Sequence, residues 1–228
     1  MERHFDEELR DLNKQLLTMA TLTEDAIRKS IEALRKRDTA IAQDVIDRDN
    51  DIDALELQID ERCIDLIARH QPVASDLRFI TTGMRINSDL ERIADLALDI
   101  AQRVLELTDR PLLKELIDIP DLAEVARRMV RDAIDAFVNR DVELARKVVL
   151  ADEEADRLRD LVQDELINQF MVKDGSTAPR AVPLLLIARH LERICDHATN
   201  IAESVIYIVQ GKVVRHHPEK LDGDGTPG

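Results

Sequence analysis

Two stretches decide the fold: Leu90-Glu91-Arg92-Ile93-Ala94-Asp95-Leu96-Ala97-Leu98-Asp99-Ile100-Ala101 and Leu191-Glu192-Arg193-Ile194-Cys195-Asp196-His197-Ala198-Thr199-Asn200-Ile201-Ala202. They lie 101 residues apart and agree at eight of twelve positions. Further upstream, Arg37-Asp38 matches Arg140-Asp141. Asp49, Asp53 and Leu55 likewise match Asp152, Asp156 and Leu158, here at an offset of 103 residues. Agreement in three separate segments, in one order, identifies a tandem duplication whose second copy has a connection two residues shorter.

Glycine and proline mark the same division. Residues 1–71 contain neither, Pro72 and Gly83 mark a turn region, and 84–110 again lacks both. Pro111 and Pro120 bracket a connection, 121–174 is free of both, Gly175, Pro179 and Pro183 cluster, and 184–210 is free once more. The long runs exceed one globular helix, and Asp38 and Asp141 supply N-caps at matching points inside them. This predicts helices near 3–36, 39–70, 76–108, 121–139, 142–172 and 181–209. Apolar residues such as Ile86, Leu90, Ile93, Ala97, Ile100 and Val104 recur at helical spacing. The expected fold is all-α: six helices in two tandem, sequence-related three-helix bundles. The first repeat is placed at 1–110, a connection at 111–119, and the second repeat at 120–210. A tail at 211–228, rich in Gly and Pro, is expected to be disordered.

Composition excludes the alternatives. Among 228 residues only 2% are aromatic, with 6 Gly and 7 Pro, too few for the turns of an all-β fold or the phosphate loops of a doubly wound sheet. The formal charge of −15 disfavours nucleic acid and anionic lipid as partners and favours cations. No stretch approaches a membrane span, and the first residues, Met1-Glu2-Arg3-His4-Phe5-Asp6, show no basic segment leading into an apolar core. Cys63 and Cys195 lack C-x-x-C spacing and read as small core residues in a reducing cytoplasm.

The chemistry lies in the acids. Glu91, Asp95 and Asp99 fall at i, i+4 and i+8, within an arc of about 80° on the side opposite the apolar stripe. Glu192, Asp196 and Asn200 repeat the row in the sixth helix. Asp49, Asp53 and Glu56 form a similar row in the second helix; in the fifth, Asp152 and Asp156 are followed by Arg159 instead of a third acid. Uncompensated carboxylates repel one another along a helix, so the rows read either as a solvated face or as a site for hard cations. Single i,i+4 acid pairs arise often by chance in so acidic a chain; recurrence in register is the signal. His190 and His197, beside the second row, read as boundary imidazoles or auxiliary ligands. Arg35-Lys36-Arg37 completes a helix C-terminus, favourable to the dipole, or offers a local docking patch for an acidic partner. No Glu-x-x-His pair, H-E-x-x-H, Walker loop or nucleophile elbow occurs, so catalytic residues are not expected.

The paired motif, Glu91 with Asp95 and Glu192 with Asp196, each Glu followed by Arg-Ile, resembles the E(D)-x-x-x-D signature of the PhoU family. The resemblance covers about residues 3–210 and includes Arg37-Asp38, the Asp49/Asp53 row and the Pro72…Asp76-Leu77-Arg78 turn. The second copy lacks a clear counterpart of that turn. The resemblance implies a cytoplasmic, non-enzymatic negative regulator of phosphate uptake and the phosphate-starvation response, reaching the membrane only through partners. Those partners would be the ATPase subunit of a phosphate ABC transporter and a phosphate-sensing histidine kinase, with a homodimer as the working form. It also implies multinuclear metal held by Glu91, Asp95, Glu192 and Asp196, with Asp49, Asp53, Asp152, Asp156, Asp99 and Asn200 as further oxygen donors. All-oxygen sites suit Mg, Mn or Fe, with Zn also admissible. The rival readings are a structural helical protein with solvated acidic faces and a carboxylate-bound di-metal enzyme.

Overall fold

The computed structural model describes residues 2–113 and 118–211. Six helices run in order: α1 (Glu2–Lys36), α2 (Thr39–His70), α3 (Ala74–Thr108), α4 (Asp118–Asn139), α5 (Val142–Asp164) and α6 (Ala178–Gln210). The expected tail, 211–228, lies outside the described residues except for Gly211, which closes α6 in the left-handed conformation. No strand occurs among the described residues. Helices α1, α2 and α3 pack as one bundle and α4, α5 and α6 as the other. The bundles meet mainly along α3 and α6, and more lightly along α1 and α4.

The repeated Arg-Asp pair shows how local chemistry sets this topology. Arg37 adopts φ 54° and Arg140 φ 53°, the left-handed region that ends a helix. In the first repeat, the N–H groups of Arg37 and Asp38 donate to the carbonyls of Leu34 (3.4 Å) and Ala33 (3.0 Å). In the second, Arg140 and Asp141 donate to Phe137 (3.3 Å) and Ala136 (2.9 Å). The aspartate then opens the next helix. Asp38 Oδ1 accepts from the N–H of Ala40 (2.9 Å) and Ile41 (3.2 Å), and Asp141 Oδ1 from that of Leu144 (3.0 Å). One dipeptide thus ends one helix and starts its antiparallel neighbour.

The glycine and proline reading needs three corrections. Gly83 does not mark a turn: it is buried within α3, where the missing Cβ lets Leu16 of α1 approach to 3.3 Å of the position a Cβ would take. Pro120 lies in the first turn of α4, and α6 begins at Ala178, with Pro179 in its first turn and Pro183 inside. A first turn tolerates proline because its N–H would be unpaired anyway. The predicted fifth helix also changes pitch: α5 gives way to a π-helical segment at Glu165–Met171, whose counterpart in α2 is regular.

Burial explains the stability of the seam. Ile86, Leu90, Ile93, Ala97 and Ile100 of α3 and Ile187, Leu191, Ile194, Ala198 and Ile201 of α6 are fully enclosed. Each such isoleucine or leucine side chain contributes about 1.5–3 kcal/mol of transfer free energy. Phe79 stacks on Phe137 across the repeats, with centroids 5.8 Å apart. Cys63 and Cys195 are buried as expected, and burial pushes the Cys63 thiol up to about 12 and Cys195 upward as well.

The repeats also supply an internal comparison. The Arg37 guanidinium donates to the carbonyls of Leu107 (3.0 Å), Thr108 (2.7 Å) and Arg110, closing the C-terminus of α3. Arg140 is exposed, and its side chain makes no hydrogen bond or ion pair with a described residue. Glycine relieves left-handed strain at either position, so Arg140→Gly is expected to stabilise the protein by up to about 1 kcal/mol. Arg37→Gly is expected to destabilise it, because the α3 carbonyls lose their donor. Chemical denaturation of the two variants checks the opposite signs.

Candidate cation-binding grooves

Because α3 packs against α1, α2 and α6, it keeps only a narrow solvated strip, marked by exposed Arg85, Ser88 and Arg92. Ala94, Leu96 and Ala101 are buried as well as the predicted stripe, so apolar contact covers most of the helix circumference. The acid row takes the side opposite the apolar stripe and borders the groove between α2 and α3, with the Asp95 and Asp99 side chains 41% and 44% exposed. Its copy lies between α5 and α6. Asp49, Glu91, Asp95 and Asp99 are half-buried, while Asp53 is exposed at the rim.

The two rows of the first groove act on each other. Burial raises the Asp49 carboxyl to about 6, reinforced by the charges of Asp53, Asp95 and Asp99. Glu91 is raised by burial and by Asp95, against the pull of Arg92, with Glu56 and Asp53 adding to the rise. Glu56 is raised by burial and by Asp60 and Asp53. Six acids, Asp49, Asp53, Glu56, Glu91, Asp95 and Asp99, therefore share one electrostatic site. Its cation is Arg92, with Nε 3.4 Å from Glu91 Oε2 and Nη1 3.1 Å from Asp95 Oδ2. Asn87, fully buried on α3, ties the walls together by donating to the Glu56 carbonyl (2.9 Å) and Asp60 Oδ1 (3.1 Å).

The second groove repeats the core of this arrangement. Asp152 is raised to about 6 by burial and by Asp196, Asp156 and Glu192. Asp196 and Glu192 are raised by burial first, then most by a neighbouring acid, Asp156 for Asp196 and Asp196 for Glu192. Arg159, where the first repeat has Glu56, reaches between the rows: Nη2 is 3.6 Å from Glu192 Oε1 and 3.7 Å from Asp156 Oδ1. Asn200 is half-buried one turn beyond Asp196 and makes no hydrogen bond to these carboxylates. Among the described residues no three His, Cys, Asp or Glu side chains converge as a ready-made metal site. Electrostatically the structure brings each pair of rows together, but it does not close them around a point.

Three features escaped sequence reasoning because their partners are remote in the chain. His197 Nδ1 lies 2.9 Å from Asp89 Oδ1, joining α6 to α3. His190 Nδ1 lies 3.9 Å from Asp99 Oδ2, so a second-repeat imidazole stands beside a first-groove acid. At the start of α1, buried Glu8 meets His70 Nε2 at 2.6 Å and Arg62 and Arg69 at 3.3 Å each. Burial pushes the Glu8 carboxyl up, but the His70 hydrogen bond and the charges of Arg69, Arg62 and His4 outweigh it and hold it low.

These shifts give opposite pH signatures. Asp49 and Asp152 titrate near 6 in the fold against 3.8 when unperturbed, so their contribution is fully present below the lower value and lost as pH rises through the higher. Glu8, held below 4.5, contributes above that value and loses its contribution as pH falls. The thermal midpoint in EDTA is thus expected to rise as pH falls from about 7 to about 5, and to fall again at stronger acid. In an Asp49→Asn/Asp152→Asn variant the first rise is expected to flatten. Calorimetric unfolding across this range is the check.

With the grooves defined, comparison with known proteins is direct. The model of the PhoU domain matches residues 16–104 and again 119–205. A phosphate-specific transport system accessory protein PhoU homolog from Aquifex aeolicus is 40% identical over 217 residues, covering 95% of this chain and 98% of the relative. The homolog from Pseudomonas aeruginosa is 37% identical, covering 95% and 89%. The crystal structure of PhoU from Pseudomonas aeruginosa superposes with TM-score 0.88 at 37% identity, covering 91% of this chain and all (100%) of that one. The phosphate transport system regulatory protein PhoU from Streptococcus pneumoniae gives 0.85 at 31% identity, covering 92% and 99%. Two matched repeats, near-complete coverage and shared architecture place the chain in the PhoU family.

Proposed function

We propose that this chain is a non-enzymatic accessory regulator of phosphate uptake that restrains the phosphate-starvation response when phosphate is plentiful. The observation that carries the reading is the pair of facing carboxylate rows, repeated in both bundles of a chain whose relatives are named accessory proteins of phosphate-specific transport. The grooves serve as cation sites. Glu91, Asp95, Asp49, Asp53 and Asp99 would hold metal in the first, and Glu192, Asp196, Asp152, Asp156 and Asn200 in the second. The donor set fits a hard cation: every candidate atom is oxygen, and burial and crowding already oppose the free ionised carboxylates. Mg, Mn and Fe match this set best, with Zn admissible. A bound cation would supply charge neutralisation and rigidity.

In this reading the two bundles form an adaptor, working in the cytoplasm as a homodimer. One contact is the ATPase subunit of a phosphate ABC transporter and the other a phosphate-sensing histidine kinase. No helix among the described residues is long and apolar enough to cross a membrane, so the adaptor reaches the membrane through these partners. No sequence motif supplies a nucleophile with its base or a Glu-x-x-His pair, which favours adaptor over enzyme.

The decisive test of the regulatory role is a deletion strain grown in phosphate-rich medium, with any second copy also deleted. Phosphate-regulated genes are expected to be derepressed, and to be repressed again when the chain is restored. Full repression in the deletion strain contradicts the role.

A further inference from the structure

The two grooves descend from one sequence and have diverged in charge at their rims. The first has Glu56, Asp60, Ser88 and Arg92; the corresponding positions of the second are Arg159, Gln163, Arg189 and Arg193. Their formal charge changes from −1 to +3. In the second repeat these four residues line a groove of about 570 Å³ between α6 and the α5 and π-helical segments, beside Glu192 and Asp196.

The three arginines are unequally satisfied. Arg159 holds Asp160 Oδ1 at 2.6 Å, but its Nε is buried without a hydrogen-bond partner. Arg189 and Arg193 sit one turn apart on the exposed side of α6, and neither makes an ion pair with a described residue. Like charges at this spacing repel along a helix. A guanidinium presents its donors as a rigid fork that matches the paired oxygens of an oxyanion. In the first groove the only arginine at these positions, Arg92, is committed to Glu91 and Asp95.

We infer that the second-repeat groove binds a tetrahedral oxyanion of the phosphate class, held by Arg189 and Arg193 from α6 with Arg159 at its inner edge. Glu192 and Asp196 oppose the anion. The three arginines leave the lining with a formal charge of +1, and Arg159 already screens Glu192. A cation on those two carboxylates would strengthen the attraction, so the groove would sense metal and anion together. The site stands on the arginines; the choice of phosphate among oxyanions rests on the role proposed above. The two claims fail separately, since the deletion strain tests the role and direct binding tests the site.

The experiment is calorimetric titration of the full chain with inorganic phosphate, once in EDTA and once with magnesium, with sulfate as the comparison anion. Saturable binding of one phosphate per chain is expected, tighter with magnesium. Arg189→Ser/Arg193→Ala is expected to weaken it at least about tenfold, as is Arg159→Glu, which installs the first repeat's residue. Arg92→Ala is expected to leave it unchanged. Absence of saturable binding of either anion by the wild-type chain in both conditions overturns the site, as does undiminished binding by the arginine variants. Saturable sulfate binding without phosphate binding overturns the assignment to phosphate.

Discussion

Burial of α3 against α6 is the constraint on which the rest depends. The helices run antiparallel, as the pairing of Asp89 with His197 and of Asp99 with His190 requires. Each also packs against the two other helices of its own bundle. A helix covered on so many sides has only narrow strips left for charge. Acids along the edge of such a strip border a groove with a neighbouring helix, where water is scarcer and other acids are close. The raised carboxyls of Asp49 and Asp152 follow from that placement, not from any property of the E-x-x-x-D spacing alone. Packing energy from the apolar seam thus holds together charges that would separate in an isolated helix.

Duplication supplied two such grooves, and later divergence made them unequal. In the first, Asn87 locks the walls and Glu56 adds a carboxylate. In the second, Ala188 occupies the position of Asn87, and Arg159 occupies that of Glu56, placing a fixed cation between the rows. The first groove is therefore the stronger attractor of cations, while the second offers both signs of charge. A similar divergence separates Arg37, committed to the end of α3, from Arg140, which keeps the backbone role without side-chain bonds to described residues. Shared backbone conformation with different side-chain duties is what a duplicated scaffold permits once packing is secured.

Much of this was legible in the chain itself. Helix number, the twofold repeat and the Arg-Asp connections follow from periodicity and capping, which act between residues a few positions apart. The acid rows were visible for the same reason, since i, i+4 and i+8 define a strip on any helix. Their surroundings were not visible. Whether a strip faces water or another helix depends on how many neighbours α3 has, and hydrophobic spacing reports only the widest apolar side. Gly83 was misread because a glycine that lets two helices approach looks, in sequence, like one that breaks a helix. The Glu8 cluster and the imidazole contacts of the seam join positions 54 to 108 residues apart, and no local pattern announces them.

The central claim is that the repeated carboxylate rows exist to hold cations. Metal analysis of the gently purified chain beside a Glu91→Ala/Asp95→Ala/Glu192→Ala/Asp196→Ala variant tests it most directly, with helical content measured on both. The account predicts stoichiometric metal in the wild-type chain and its loss in an equally helical variant. Equal metal in the two proteins, or none in the wild type even after incubation with manganese or iron, would contradict it.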